Sequence, residues 1–199
     1  MPDMTDAEQL AALLARRRQP DANTTEVDAE IFARFGRPQA VMFTDLVGFS
    51  RVVEAFGIVH FLQLIQESEA LFQPLIAGHG GTCLKREGDS LLVVFAQPEQ
   101  ALACAQAMVR ATHMANLPGR APEDRIEVCI GLGFGTVLRI DGNEVWGAEV
   151  NAASKLGEDT AKGGEVWVTD SFYQAVPDLR FADTGTLFGK RTAYRLPSA

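Results

Sequence analysis

Cysteine and histidine are scarce in this 199-residue sequence, with three of each. Cys83, Cys104 and Cys129 are odd in number and lack the paired spacing of a metal site. They fall in segments that read as strand, helix and strand, which excludes a disulfide framework and suits buried free thiols in a reducing compartment. His60, His79 and His113 are scattered, so a histidine metal centre is not expected. Positive charge is also in deficit, with 18 Lys and Arg against 26 Asp and Glu and a formal net charge of -8. That balance argues against nucleic acid as a partner. No apolar run approaches the roughly 20 residues of a membrane span, and the N-terminus lacks an apolar signal-peptide core. A cytoplasmic protein without a membrane partner is the expectation. The 47% apolar content is enough for one ordinary core, with or without an appendage.

What is present centres on Phe43-Thr44-Asp45-Leu46-Val47-Gly48-Phe49-Ser50. Ala40 to Phe43 reads as a buried strand and Gly48 to Phe56 as the helix after it, which puts Asp45 at the strand end. A second carboxylate, Asp89, sits in Lys85-Arg86-Glu87-Gly88-Asp89-Ser90, at the turn before the apolar run Leu91 to Phe95. Two such carboxylates side by side make a candidate magnesium site. Spacing alone does not separate this from a plainer reading, in which Asp45 caps a helix and Asp89 is a turn residue.

Before about Arg37 the chain reads as a helical appendage, residues 1–36, leaving 37–199 as one domain. Thr5-Asp6-Ala7-Glu8 has the form of a capping box, and Leu10, Leu13 and Leu14 share a face of the helix that follows. Arg16-Arg17-Arg18 complements that helix's dipole, a simpler reading than a membrane or nucleic-acid patch. A second helix starts near Thr25 and carries Val27, Ile31, Phe32 and Phe35, whose apolar face must dock on the body or on a second subunit. Phe61 to Ile76 marks a long amphipathic helix, with a kink or early last turn expected at Pro74 and a stop at His79-Gly80-Gly81. Thr82 to Arg86 and Ser90 to Phe95 form a hairpin, and Pro98 opens a helix packing through Ala101, Ala105, Met108 and Val109.

Ile126 to Phe134 reads as one strand and Thr136 to Ile140 as another. Gly131-x-Gly133-x-Gly135 is not a dinucleotide loop, because the spacing is wrong and no helix follows. Glycines on one strand face instead let a ligand or a packed backbone come close. A helix is expected from Ala148 to Leu156, with Asn151 and Lys155 sharing a face. A strand at Glu165 to Thr169, a short helix with Phe172 and Tyr173, and strands near Leu179 to Ala182 and Thr192 to Leu196 complete the chain. This irregular mixture suits an α+β fold with helices over a mostly antiparallel sheet.

The octapeptide around Asp45, taken with His79-Gly80-Gly81, Lys85 with Gly88-Asp89, and Val145-Trp146-Gly147 with Val150-Asn151 and Ala153-Ser154, resembles the class III nucleotidyl cyclases. The resemblance covers roughly 38–196 and rests on several separated motifs in the right order. It implies a ferredoxin-like cyclase catalytic domain that converts ATP to 3′,5′-cyclic AMP and pyrophosphate. It further implies two Mg2+ or Mn2+ ions on Asp45 and Asp89, with the backbone of Leu46, Val47, Gly48 and Phe49 cradling the phosphates. By the same resemblance Lys85 and Glu144 read the base, Asn151 orients the ribose and Lys155 meets charge in the transition state. Glu144 stands where the adenylate-making members usually have aspartate, and Lys155 where the family usually has arginine, which loses a planar fork of donors. Lys190 is a further candidate phosphate contact, for which a surface lysine is the plainer reading. Metal and base residues lie on opposite subunits in the family, so a head-to-tail homodimer with shared sites is implied. The alternatives are a cyclase for GTP or a pyrimidine nucleotide, or a catalytically weak cyclase-homology module that regulates a partner.

Overall fold

The computed structural model describes residues 4–176, 183–188 and 191–196. The expected capping box opens α1 (Asp6–Arg17), where Thr5 Oγ1 accepts the Glu8 N–H at 3.2 Å and Glu8 Oε2 accepts the Thr5 N–H at 2.8 Å. The arginines at its end do more than complement the dipole, because Arg16 pairs with Glu30 and Arg17 with Asp28. Both acids lie on α2 (Thr24–Phe35), which Asn23 caps. Val27, Ile31 and Phe35 bury against Leu13 of α1 and Ile140 of the body, while Phe32, expected on the same face, is 51% exposed. The helical hairpin therefore docks on the body of its own chain.

Gly36 leads from α2 into β1 (Gly36–Leu46) without a linker. Next come α3 (Phe49–Phe56) and α4 (Ile58–Gly78), separated by Gly57 at φ 86°. Pro74 lies inside α4 and does not end it; the helix stops at His79-Gly80. The expected hairpin is β2 (Thr82–Glu87) and β3 (Ser90–Phe95), followed by α5 (Pro98–Ala115). The two strands expected over 126–140 are one strand, β4 (Val128–Ile140), because β1 pairs along it from Leu46 opposite Val128 to Gly36 opposite Leu138. Short β5 (Glu144–Trp146) folds back on β4, and α6 (Ala148–Lys155) continues into a π-helical turn at Leu156–Thr160. Finally β6 (Val166–Thr169), α7 (Asp170–Ala175), β7 (Asp183–Phe188) and β8 (Arg191–Arg195) close the described chain. The strand expected near Leu179 to Ala182 lies outside the described residues.

The sheet runs β2-β3-β1-β4-β6-β8-β7, with β5 on the far half of β4. Among the described residues only β4 and β6 pair in parallel; the other pairings are antiparallel, and β1 to β4 with α4 and α5 make the ferredoxin-like core. Alternation along each strand sorts residues to the two faces. Met42, Val93, Phe95, Ile130 and Leu132 meet Phe61, Phe72, Leu102 and Met108 of α4 and α5. On the other face Val41, Val94 and Val137 meet α6 through Ala153. That face exposes the glycines of β4, which lets the helix backbone approach: a Cβ on Gly131 would overlap the Ala153 carbonyl oxygen. No helix among the described residues is long and apolar enough to cross a membrane.

Candidate active site

Asp45 lies one residue from the end of β1, on the sheet face of Val41 and Phe43. Asp89 follows Gly88, whose φ of 61° makes the tight β2–β3 turn. The two are neighbours because β1 pairs with β3, and the Ser90 hydroxyl donates to Asp45 Oδ1 at 2.9 Å. Burial pushes the Asp45 carboxyl up to about 6; the Ser90 hydrogen bond opposes this, while the charges of Asp89 and Glu158 add to it. Asp89 is raised as well, mainly by burial, with Glu158 again adding. Three carboxylates thus gather near the end of β1. Glu158 belongs to the π-helical turn after α6 and takes a 3.4 Å hydrogen bond from the Ser154 hydroxyl.

Between Asp45 and α3, the Val47 N–H is already donated to the Glu127 carbonyl at 3.0 Å. Gly48, at φ 92°, takes a backbone shape that side chains disfavour and starts α3 without a side-chain cap. The first amides of α3 then point outward, as at any uncapped helix start. Arg51 reaches back over the turn, its Nη2 lying 3.1 Å from where a Gly48 Cβ would stand. Phe49 is anchored beside it by an edge contact with Phe61, at 4.9 Å between ring centres.

Lys85 and Glu144 meet as an ion pair at 3.5 Å. A bulge in β2 between Cys83 and Lys85 turns the lysine, and the Asp141-Gly142-Asn143 turn delivers Glu144 at the start of β5. Asp141 holds φ 47° in that turn, where its carboxylate accepts the Asp6 N–H of α1 at 3.0 Å. Both members of the pair are about 40% exposed, so the contact contributes little to stability and both groups stay accessible to a ligand. Asn151 and Lys155 both lie on the exposed side of α6. Among the described residues no side-chain hydrogen bond joins Asn151 to the carboxylates or to the Lys85 pair. Lys190 lies outside the described residues.

The candidate residues therefore form three groups on one chain: Asp45 with Asp89, Lys85 with Glu144, and Asn151 with Lys155. Ser90, Arg51 and Glu158 are additions that sequence reasoning missed. Ser90 had a signal, since a hydroxyl opening β3 falls opposite the end of β1. Glu158 had none, because only the π-helical turn brings it near Asp45. For a cation, the donors fit: two converging all-oxygen groups suit a hard divalent ion and leave coordination positions open for phosphate oxygens. Among the described residues no group of three His, Cys, Asp or Glu side chains is placed to hold an ion alone.

The model of the adenylate and guanylate cyclase catalytic domain matches residues 37–192. An adenylate cyclase of Streptomyces coelicolor is 32% identical over 148 residues, 74% of this chain and 35% of its own length. One from Mycobacterium bovis is 28% identical over 178 residues, 84% of this chain and 38% of its own. The chain spans only 25% to 38% of the first curated relatives it matches. Among solved structures, an adenylate/guanylate cyclase/hydrolase from Silicibacter pomeroyi superposes with a TM-score of 0.69 at 24% identity, covering 81% of this chain and 96% of that one. The adenylyl cyclase CyaB from P. aeruginosa gives 0.66 at 21% identity, covering 82% and 95%. At these identities the structural likeness is one of fold.

Proposed function

The chain belongs to the adenylate and guanylate cyclase catalytic domain family, and from that premise we propose that it converts ATP to 3′,5′-cyclic AMP and pyrophosphate at sites shared by two head-to-tail copies. The observation that carries the choice of ATP is the Lys85–Glu144 pair, an ammonium donor 3.5 Å from a carboxylate acceptor. Adenine offers an acceptor at N1 and a donor at its 6-amino group, which match Lys85 and Glu144 in turn. Guanine offers the reverse.

Asp45 and Asp89 would hold divalent cations, Mg2+ or Mn2+, and their mutual repulsion and burial are what such charge relieves. Bound there, the ions supply Lewis acidity that makes the ribose 3′-hydroxyl easier to deprotonate and neutralise the triphosphate. The hydroxyl oxygen bonds to the α-phosphorus, its proton passes to solvent, and the bond to the bridging oxygen breaks to release pyrophosphate. The α3 amides after Gly48 and the Arg51 guanidinium bind the β- and γ-phosphates. Lys85 and Glu144 of the other copy hold the base, Asn151 orients the ribose, and Lys155 meets the charge that grows on the α-phosphate oxygens.

The test is loss of product. Asp45→Ala and Asp89→Ala should each abolish cyclic nucleotide formation from ATP and Mn2+, and chelator should do the same to the parent. Undiminished turnover in either variant would remove the two carboxylates from the mechanism.

A further inference from the structure

Helix α6 presents Asn151 and Lys155, yet the mechanism makes no use of the carboxylate buried on its opposite side. Glu149 is 8% exposed. Its Oε2 accepts a hydrogen bond from the Thr169 hydroxyl at 2.7 Å and its Oε1 one from the Ser171 hydroxyl at 3.3 Å. The Thr169 oxygen also accepts the Phe172 N–H at 3.2 Å, as the N-cap of α7, which leaves its proton for Glu149. One hydroxyl thus ties the start of α7 to α6. The backbone of Glu149 is pressed on the sheet as well: a Cβ on Gly133 would stand 2.7 Å from its carbonyl oxygen.

That glycine track explains why an anchor is needed. Side chains normally lock a helix against a sheet by interdigitation, and the glycines contribute none, so the interlocking of this short helix falls to Ala153 and Val150 against the valines beside the track. α6 has eight residues and no side-chain cap at Gly147. The hydrogen bonds that the Thr169 and Ser171 hydroxyls give Glu149 add a polar tie that fixes its register. At 100° per residue, Asn151 and Lys155 lie about 200° and 240° around the helix from Glu149, on the face turned away from the sheet. Fixing one face fixes the other.

We propose that Glu149 is a positioning residue for the cyclisation: held by Thr169 and Ser171, it sets α6 so that Asn151 and Lys155 meet the nucleotide bound at Asp45 and Asp89 of the other copy. This rests on the shared-site reading above. A misplacement of about 1 Å at such groups costs on the order of 10²-fold in rate. Glu149→Ala should therefore lower kcat about 10- to 100-fold with KM for ATP nearly unchanged, while Glu149→Gln, which keeps an acceptor, should retain more of the rate.

Subunit mixing separates positioning from general damage. Asn151→Ala mixed with Asp45→Ala is the control, and it should recover about a quarter of parental activity, since half the dimers are mixed and each has one intact site. Glu149→Ala should behave as Asn151→Ala does, recovering with Asp45→Ala and not with Asn151→Ala. Parental kcat in Glu149→Ala, or failure to recover with Asp45→Ala when the control recovers, overturns the proposal. A control that stays inactive refutes site sharing instead, and the kcat-against-KM split in unmixed Glu149→Ala then decides whether it positions α6 within one chain. Should Glu149→Ala not fold, the same criteria pass to Thr169→Val, which removes the donor and keeps the shape.

Discussion

Asp45 is held where ionisation is unfavourable, and that has a measurable sign. Burial raises its pKa to about 6 in the folded protein, above the value of about 4 for an unfolded chain. The folded state therefore binds the proton more tightly, so stability is greatest below the unfolded value and falls as pH rises through about 6. Asp45→Asn, which cannot ionise, should melt at a higher temperature than the parent at pH 8 and at nearly the same temperature at pH 4. Mn2+ at pH 8 should raise the melting temperature of the parent and not of the variant. An equal difference between the two proteins at both pH values would contradict the burial cost. In the proposed mechanism Lys155 acts at a different stage, since a cation over the α-phosphate matters most as charge develops there. Lys155→Ala should lower kcat by about 10²-fold with a smaller change in KM, and Lys155→Arg should match or exceed the parent. A change in KM alone would make Lys155 a ground-state contact. The placement of Asp45 beside Asp89 and of Asn151 with Lys155 on one helix face was legible, because turns and helix periodicity decide it locally. Glu158 and Glu149 were not, because their partners are chosen through space.

Elements were legible wherever local chemistry decides them. The capping box, the Gly88 turn and the glycine stop after α4 all stand where the residues place them. β4 differs, because Ile126 to Phe134 and Thr136 to Ile140 read as two strands and the long pairing with β1 holds them as one. β7 had no separate signal; it exists as the partner of β8. Gly131, Gly133 and Gly135 were read as a close-approach surface without a known occupant, and α6 is that occupant. The α1–α2 hairpin likewise needed a surface, and Ile140 with Leu138 supplies it at the base of the turn that presents Glu144. Phe35 is 2% exposed in that cluster. Phe35→Ala should cost about 3 to 5 kcal/mol in a denaturant titration. A cost below about 1 kcal/mol would mean that the hairpin unfolds apart from the sheet.

For the whole molecule, the architecture explains why one chain carries its candidate site residues in three separate groups. One face of the sheet is covered by α4 and α5, and the other carries Asp45, the glycine track and α6. The carboxylate pair, the Lys85–Glu144 pair and the exposed side of α6 are each accessible, as half-sites for a second copy require. The fold itself does not choose the base, since the family takes in both adenylate and guanylate cyclases. In the proposed function the choice falls to Lys85 and Glu144, and each mispaired group in a closed site costs roughly 1–3 kcal/mol. The most direct measurement is turnover of ATP, GTP, CTP and UTP, each supplied alone with Mn2+, with the products resolved by chromatography. The expected result is 3′,5′-cyclic AMP as the main product, with kcat/KM for ATP at least about tenfold above that for GTP. A preference for GTP or a pyrimidine nucleotide, or no cyclic product from any of the four, would contradict the assignment.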